Sequence, residues 1–318
     1  MSPYRYSHHR SRRHKTSGIL KRLFFWFFET QIGKNLFLIL LFFLVLGSLF
    51  IFVAFALASK NLPSPGSLTE RKISQTTKIY DRTGEHLLYE IAGNQNRTLK
   101  KLQEGYCNKT DPKLSFDTNG IPLFAAKATI AAEDRKFCTH NGFDLKGLTR
   151  AFVLNLTGKR AGGSTLTQQL VKNAILSNEK TFTRKIKELI LSIKLEQKYS
   201  KDEILQIYLN EIPYGSSYYG IESASQNFFR KSVKDLTIAE AATLASLPKS
   251  TTKLLNNPDL LLIRRDYILD EMLKLNFIDA KMHETAKSEK TPIIAHITNI
   301  TAPHFVLDVK ADLENTYG

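Results

Sequence analysis

Cysteine, tryptophan and methionine are nearly missing from this sequence, which has two, one and three of them among 318 residues. Neither Cys107 nor Cys138 has a Cys or His partner at ligand spacing, which excludes a thiolate metal site. Two readings stay open for the pair: a disulfide, which an oxidising compartment permits, or two partly buried thiols. Acidic residues are also short, 30 against 45 Lys and Arg, for a formal charge of +15. No internal repeat is visible, and the Gly-Lys-Ser/Thr order of a nucleotide-binding P-loop is absent. Residues 35–59 contain no charge at all.

The charge that is present is unevenly placed. The first 34 residues hold Arg5, Arg10, Arg12, Arg13, Lys15, Lys21, Arg22 and Lys34 against the single acid Glu29. Such a head invites a nucleic-acid reading, but the uncharged run behind it gives another. Residues 36–46 are almost pure Leu, Phe and Ile. A helix over 35–59 spans roughly 35 Å at about 1.5 Å per residue, enough for the hydrocarbon core of a bilayer. A cleaved signal peptide, for which Ala54, Ala56 and Ala58 offer small residues, would carry a shorter apolar core. The excess of Lys and Arg before the span places the N-terminus in the cytoplasm and everything after Lys60 outside it. The basic head is then an orientation signal and a contact for lipid headgroups, not a nucleic-acid arm. Residues 24–28, with Trp26, read as an interfacial aromatic belt before the span.

Beyond the span, Leu62-Pro-Ser-Pro-Gly-Ser67 is a short, stiff linker. Residues 78–81 and 86–91, around the Thr83-Gly84 turn, predict a β-hairpin. Residues 93–119 are polar and weakly patterned, a loop that contains Cys107. From Pro122 onward the pattern is helical. Helices are predicted over 124–135, over 145–156, and after the glycine pair Gly162-Gly163. In the segment 184–199, Ile186, Leu189, Ile190 and Ile193 form an i, i+3, i+4, i+7 stripe. Ser200-Lys-Asp-Glu203 and Thr237-Ile-Ala-Glu240 are capping boxes that open two more helices, the second ending before Pro248. Segments 259–275 and 279–287 complete a domain that is mainly α, with one hairpin near the membrane.

Three clusters could carry chemistry. Gly162-Gly-Ser-Thr-Leu-Thr-Gln-Gln-Leu-Val-Lys-Asn173 leads from a turn into a helix N-terminus, which suits a phosphate or pyrophosphate. Ser164 and Thr165 are N-cap residues, and Gln168 and Lys172 share a helix face. The alternative is an ordinary capped helix with Gln and Lys facing water. Glu133-Asp-Arg-Lys-Phe-Cys-Thr-His-Asn-Gly-Phe-Asp144 places carboxylates at the end of an apolar helix. Partial desolvation there raises a carboxyl pKa toward the range of a general base. A solvated helix terminus is the plain alternative, with His140 a structural hydrogen-bonding residue. Glu188 is the second candidate carboxylate. Its plain alternative is a surface ion pair with Arg184, worth a few tenths of a kcal/mol.

These clusters together resemble the peptidoglycan glycosyltransferases, the family of monofunctional transglycosylases and of the N-terminal halves of class A penicillin-binding proteins. Residues 133–144 are similar to the family's Glu-Asp-x-x-Phe-x-x-His-x-Gly-x-Asp motif, and 162–173 to its Gly-Gly-Ser-Thr-x-Thr-Gln-Gln-x-x-Lys-Asn motif. Arg184-Lys-Ile-Lys-Glu188 resembles Arg-Lys-x-x-Glu. Residues 204–210 with Gly215 and Tyr219-Gly-Ile221 look like a fourth motif, and Arg264-Arg265 with Met272 like a fifth. Cys138 stands where a bulky residue such as Tyr is common, and Arg230 stands where a glycine is usual. The segment around Cys107 has no counterpart.

The resemblance implies a lysozyme-like helical glycosyltransferase domain over 121–300, after a basic cytoplasmic tail (1–34), a transmembrane helix (35–59) and a linker, hairpin and loop (60–120). Residues 301–318 would be an exit segment toward a missing C-terminal domain, since no Ser-x-x-Lys motif stands where a transpeptidase would need it. It implies polymerisation of lipid II into β-1,4 glycan strands with release of undecaprenyl diphosphate, at the outer face of the cell membrane. Glu133 and Glu188 would be catalytic, the first as the base for the acceptor hydroxyl. Asp134, Phe137, His140, Ser164, Thr165, Gln168, Gln169, Lys172, Asn173, Arg184 and Lys185 would bind substrate. No cofactor is required by the sequence, and a divalent cation, Mg or Mn, is compatible with the diphosphate. Partners would be lipid II, the growing strand, membrane lipids and other wall-synthesis and division proteins. A lysozyme-like lytic enzyme and a non-catalytic scaffold are the alternatives. The first cleaves a neutral glycosidic bond and has no use for Lys172, Arg184 and Lys185 around a diphosphate.

Overall fold

The computed structural model describes residues 30–59, 62, 77–91, 96–158, 162–176, 182–215, 218–293 and 302–317. The basic head, the aromatic stretch 24–28, Lys60 and the linker from Pro63 lie outside the described residues. The chain divides into two compact units, Met1–Lys60 and Asn61–Gly318.

The first unit contains helix α1, Gln31–Ser59, which starts four residues before the uncharged run and takes in Lys34. Its segment Gln31–Leu49 has a mean hydropathy of 2.2 and is almost wholly unburied. Leu38, Leu40 and Phe43 are each exposed by at least 60%. Side chains this apolar and this exposed suit a hydrocarbon environment rather than water.

The second unit opens with the expected hairpin, β1 (Thr77–Tyr80) and β2 (Leu87–Ile91), paired antiparallel. Its turn is closed by Asp81, whose Oδ1 accepts from Thr83 Oγ1 at 2.8 Å and from the His86 N–H at 3.3 Å. A second small sheet was not legible. β3 (Asn96–Arg97) runs parallel to β5 (Tyr218–Tyr219), which is antiparallel to β4 (Pro213–Gly215). Strands of two and three residues, one contributed from far away in the chain, show no alternating pattern. Arg97 is held there by a 2.7 Å ion pair to Glu211 and lies over the Tyr219 ring.

Helices α2 (Leu123–Glu133), α3 (Leu145–Leu156), α4 (Leu166–Ala174), α5 (Phe182–Lys198) and α6 (Lys201–Glu211) follow the expected segments. Helix α7 (Ile221–Phe229), short α9 (Thr251–Leu255) and α12 (Pro303–Tyr317) were not anticipated. Helices α8 (Ile238–Ser246), α10 (Pro258–Lys274) and α11 (Ala280–Ser288) were. Both expected capping boxes form, at Ser200 and Thr237, and the N-cap Thr165 makes a further one with Gln168. Helix α2 packs on α8 and α10 through Ala128, Ala131, Ala239, Ala242 and Ala245, whose small side chains let the helix axes come close. A second core joins α4, α5 and α6 through Leu166, Leu170, Leu191, Leu195, Leu205 and Tyr208. Each such buried side chain contributes roughly 1.5–3 kcal/mol.

The polar loop before α2 is ordered by one face of α6. Asp202 accepts the backbone N–H groups of Tyr106, Cys107 and Asn108 at 2.8–2.9 Å. Gln206 accepts from Leu102, and Asn210 both accepts from and donates to the Lys100 backbone. These three residues recur every fourth position, so one stripe of α6 satisfies a strand-like stretch that has no periodicity of its own. Cys107 and Cys138 form a disulfide, with Cα atoms 5.5 Å apart, that ties this loop to the segment after Glu133. Arg230, at the position where the resemblance implied glycine, adopts the left-handed conformation at φ 59° as the cap of α7. The turn therefore survives the substitution, at a cost of about 1–2 kcal/mol.

Candidate active site

The site is built where α2 ends. Six small or apolar residues, Ala125, Ala126, Ala128, Thr129, Ile130 and Ala131, bury one side of the helix, and Glu133 is its last residue. Gln169 Nε2 donates to Glu133 Oε2 at 2.8 Å. The amide is oriented from behind, because its oxygen accepts from the Tyr208 hydroxyl at 3.2 Å. Glu133 Oε1 is buried and has no hydrogen-bond partner among the described residues. Burial pushes the Glu133 carboxyl up, and the neighbouring charge of Asp134 adds to it. The Gln169 hydrogen bond and the cations Arg264 and Lys249 oppose this without cancelling it. A buried oxygen without a donor costs about 1–3 kcal/mol, so its presence marks a site that works on something else.

Asp134 points the other way. Its Oδ2 accepts the N–H of Leu166 at 3.0 Å, at the positive end of α4, and lies 2.8 Å from His140 Nε2. His140 Nδ1 in turn receives the N–H of Gly142 at 3.2 Å. Gly142 has φ 89°, and a Cβ there would stand 2.9 Å from the backbone of Ser192, so only glycine fits. Thr165 caps α4 and donates to the Gly142 carbonyl at 2.8 Å, which locks the two motif loops together. Of the glycine pair, Gly163 packs against the Leu148 backbone and Ala151 of α3, while Gly162 has nothing close.

A cleft of about 500 Å³ opens over Glu133. Ser164, Thr165 and Gln169 line it together with Arg135, Lys136, Lys146, Arg150, Lys249, Arg264 and Tyr267. Arg264 donates to the Ala132 carbonyl at 3.3 Å and stacks on Tyr267. Burial and the nearby Arg264 push the Lys249 ammonium down, and Glu133 counters them. Positive side chains thus outnumber the acids Glu133, Asp134 and Asp144 on the wall, which suits an anionic ligand.

Glu188 forms a separate ionic cluster. It is 2% exposed, with Arg184 Nε 3.1 Å from Oε1 and Lys185 Nζ 2.7 Å from Oε2. The carboxylate is buried while its two cations reach the surface, so this is more than the surface pair with Arg184 that spacing alone allowed. Lys185 Nζ also donates to Ser164 Oγ at 2.9 Å, so Ser164 joins the cluster to the cleft.

A family model described as transglycosylase matches residues 96–273 of the chain, which contain all of these groups. The chain belongs to the transglycosylase family. Its similarity extends to penicillin-binding protein 1A of Pseudomonas aeruginosa, 35% identical over 271 residues, covering 83% of this chain and 31% of the relative. Penicillin-binding protein 1A of Neisseria gonorrhoeae is 36% identical over 282 residues, covering 87% and 33%. That of Rickettsia bellii is 35% identical over 277 residues, covering 82% and 32%. The chain therefore spans about a third of the length of the curated relatives it matches. A crystal structure of penicillin-binding protein 1A from Haemophilus influenzae aligns with 78% of this chain and 25% of its own, at 20% identity and a TM-score of 0.39.

Within this transglycosylase, Glu133, Asp134, Ser164, Thr165 and Gln169 meet at the cleft, as the motifs suggested. Phe137 is fully buried beneath it, and Gln168 is spent on the capping box, so both act as framework. His140 sits behind Asp134 rather than on the cleft wall. Lys172 and Asn173 are exposed on α4 and do not line the cleft, contrary to the shared-face argument made for Lys172. The flanking residues 159–161 and 177–181 lie outside the described residues. Lys249, Lys146, Arg150 and Tyr267 were missed. Lys146 and Arg150, four apart on an amphipathic helix, could have been found; Lys249 carried no signal beyond its place after Pro248.

Proposed function

We propose that this transglycosylase polymerises lipid II into β-1,4-linked glycan strands for the peptidoglycan wall, releasing undecaprenyl diphosphate. The observation that carries the reading is Glu133: one carboxylate oxygen held by Gln169, the other unpaired, in a cleft walled by cations. Glu133 takes the proton from the 4-hydroxyl of the acceptor GlcNAc. The hydroxyl oxygen attacks C1 of the lipid-linked MurNAc from the face opposite the leaving group, so the anomeric centre inverts. The C1–oxygen bond to the diphosphate breaks, and the leaving group departs as an anion. Such a leaving group needs charge neutralisation rather than a general acid, and the cleft's lysines and arginines supply it. A raised carboxyl pKa makes Glu133 a stronger base once ionised.

Glu188 fixes Arg184 and Lys185, and through Lys185 the Ser164 hydroxyl, at the edge of the cleft. We assign these groups to the donor diphosphate. A divalent cation fits the residues poorly. Both Glu188 oxygens face cations, and no group of three His, Cys, Asp or Glu side chains able to hold a metal exists among the described residues. No step here runs through one. Helix α1 would anchor the enzyme in the cytoplasmic membrane with its catalytic unit outside, where lipid II and the growing strand are met, and other wall-synthesis and division proteins are candidate partners.

A lytic enzyme on the same frame would need a protonated acid beside a neutral bridge oxygen, and the cation-rich wall favours the synthetic reading. Purified full-length protein should convert lipid II into polymer resolved on gels, and Glu133→Gln should not. Equal polymer from both would remove Glu133 from the reaction.

A further inference from the structure

Behind the cleft lies a buried ionic chain that the reaction above does not use. Lys201 is the first residue of α6 and its side chain is directed inward. Its Nζ lies 2.6 Å from Glu196 Oε2, 2.8 Å from Glu196 Oε1, and 3.5 Å from His140 Nδ1, with the Phe137 ring centroid 4.7 Å away. Glu196 also accepts from the Thr167 hydroxyl of α4 at 2.6 Å. We propose that Lys201 is a positioning residue for glycosyl transfer: held by Glu196, its ammonium fixes His140 as the Nε2–H tautomer and thereby seats Asp134 on the N-terminus of α4, the helix that carries Gln169.

Two N–H donors, the Gly142 amide and the Lys201 ammonium, converge on His140 Nδ1. A nitrogen that accepts carries a lone pair and no proton. The ring proton is therefore on Nε2, which faces Asp134 Oδ2 at 2.8 Å. That same oxygen accepts from Leu166, the first residue of α4, and the same helix carries Gln169, which holds Glu133. The proton on His140 is thus in register with the amide that orients the base.

The charged groups facing the His140 ring are Asp134 at Nε2, and Lys201 and Glu196 at Nδ1, Glu196 lying 4.0 Å away. Removing Lys201 leaves Glu196 as the charge nearest Nδ1, and the carboxylate favours the ring proton on that side. Nε2 would then turn a lone pair toward Asp134 Oδ2, and the hydrogen bond that holds Asp134 at the start of α4 would be lost. Neither Lys201 nor Glu196 lines the cleft, so the effect passes through His140.

The proposal rests on Glu133 as the base, and the test separates the two. Full-length protein labelled with ¹⁵N-histidine, with His140→Gln to assign the signal, reports the tautomer directly. At about pH 8 wild type should show His140 as the Nε2–H tautomer, and Lys201→Arg should preserve it. Lys201→Met should shift the ring toward the Nδ1–H tautomer. It should lose about tenfold in kcat with KM within about twofold. A wild-type His140 protonated on Nδ1 alone overturns the proposal whether or not the variant folds. So does a Lys201→Met enzyme with wild-type kcat and the wild-type tautomer. Polymer made by Glu133→Gln would instead remove the base and leave the tautomer result standing.

Discussion

Two buried carboxylates, Glu133 on the cleft wall and Glu188 outside it, have opposite surroundings. Glu133 ends a helix of small apolar residues, accepts one hydrogen bond from a neutral amide, and leaves its second oxygen unpaired. Glu188 sits in the middle of α5, with a guanidinium against one oxygen and an ammonium against the other. The first environment resists ionisation and keeps a lone pair available, as a base requires. The second pairs the carboxylate with two cations and so holds both in place. Paired acids whose environments diverge in this way have divided their roles.

Replacing each carboxylate breaks the comparison most severely. Glu133→Gln should lower the polymerisation rate by about 10²–10⁴-fold, the range of a lost general base. Its stability should move the other way. Because burial raises the Glu133 pKa, ionising it costs folding free energy as pH climbs from the ordinary glutamate range to the raised value. The Gln variant should therefore melt higher than wild type at neutral pH and lose that advantage in acid, which calorimetry across pH would read. Glu188→Gln should do the reverse, losing about 1 kcal/mol of stability because the partly exposed Arg184 and Lys185 lose their common anion. Its KM for the lipid-linked donor should rise, and denaturant melts with initial rates give both numbers.

Removing the disulfide with Cys107→Ser and Cys138→Ser should lower stability by about 3–4 kcal/mol for a closure of 31 residues. The loss should loosen the Glu133 side of the cleft and leave the Glu188 triad intact, a contrast that hydrogen exchange would map. A smaller effect is expected from Tyr208→Phe, which frees the Gln169 amide to turn. About three- to tenfold should be lost in kcat, consistent with one hydrogen bond. Finally, Lys249→Met removes a cation that pulls the Glu133 carboxyl down, so the acid limb of kcat/KM should move to higher pH.

The sequence made the helical frame legible because its signals are local. Ser200 and Thr237 announce their capping boxes, and the Ile186–Leu189–Ile190–Ile193 stripe its buried face. The motifs located Glu133, Gln169, Ser164 and Glu188 as well. What stayed hidden is long-range. The loop around Cys107 has no pattern because Asp202, Gln206 and Asn210 supply its partners from another element. The β3–β5 pairing joins residues more than a hundred positions apart. Composition left the Cys107–Cys138 pair open, since only three-dimensional proximity decides it. Lys172 shows the converse failure. Helical spacing grouped it with Gln168, yet Gln168 turns inward to cap its own helix and Lys172 stays outside the cleft.

The central claim is that burial and an unpaired oxygen make Glu133 the base. The most direct measurement is the pH dependence of kcat/KM for lipid II polymerisation by the full-length protein, taken beside Glu133→Gln. The account predicts an acid limb above the ordinary glutamate value of about 4.3, and its disappearance together with activity in the variant. A limb at the ordinary value, or a Glu133→Gln enzyme that polymerises with the same profile, would contradict it.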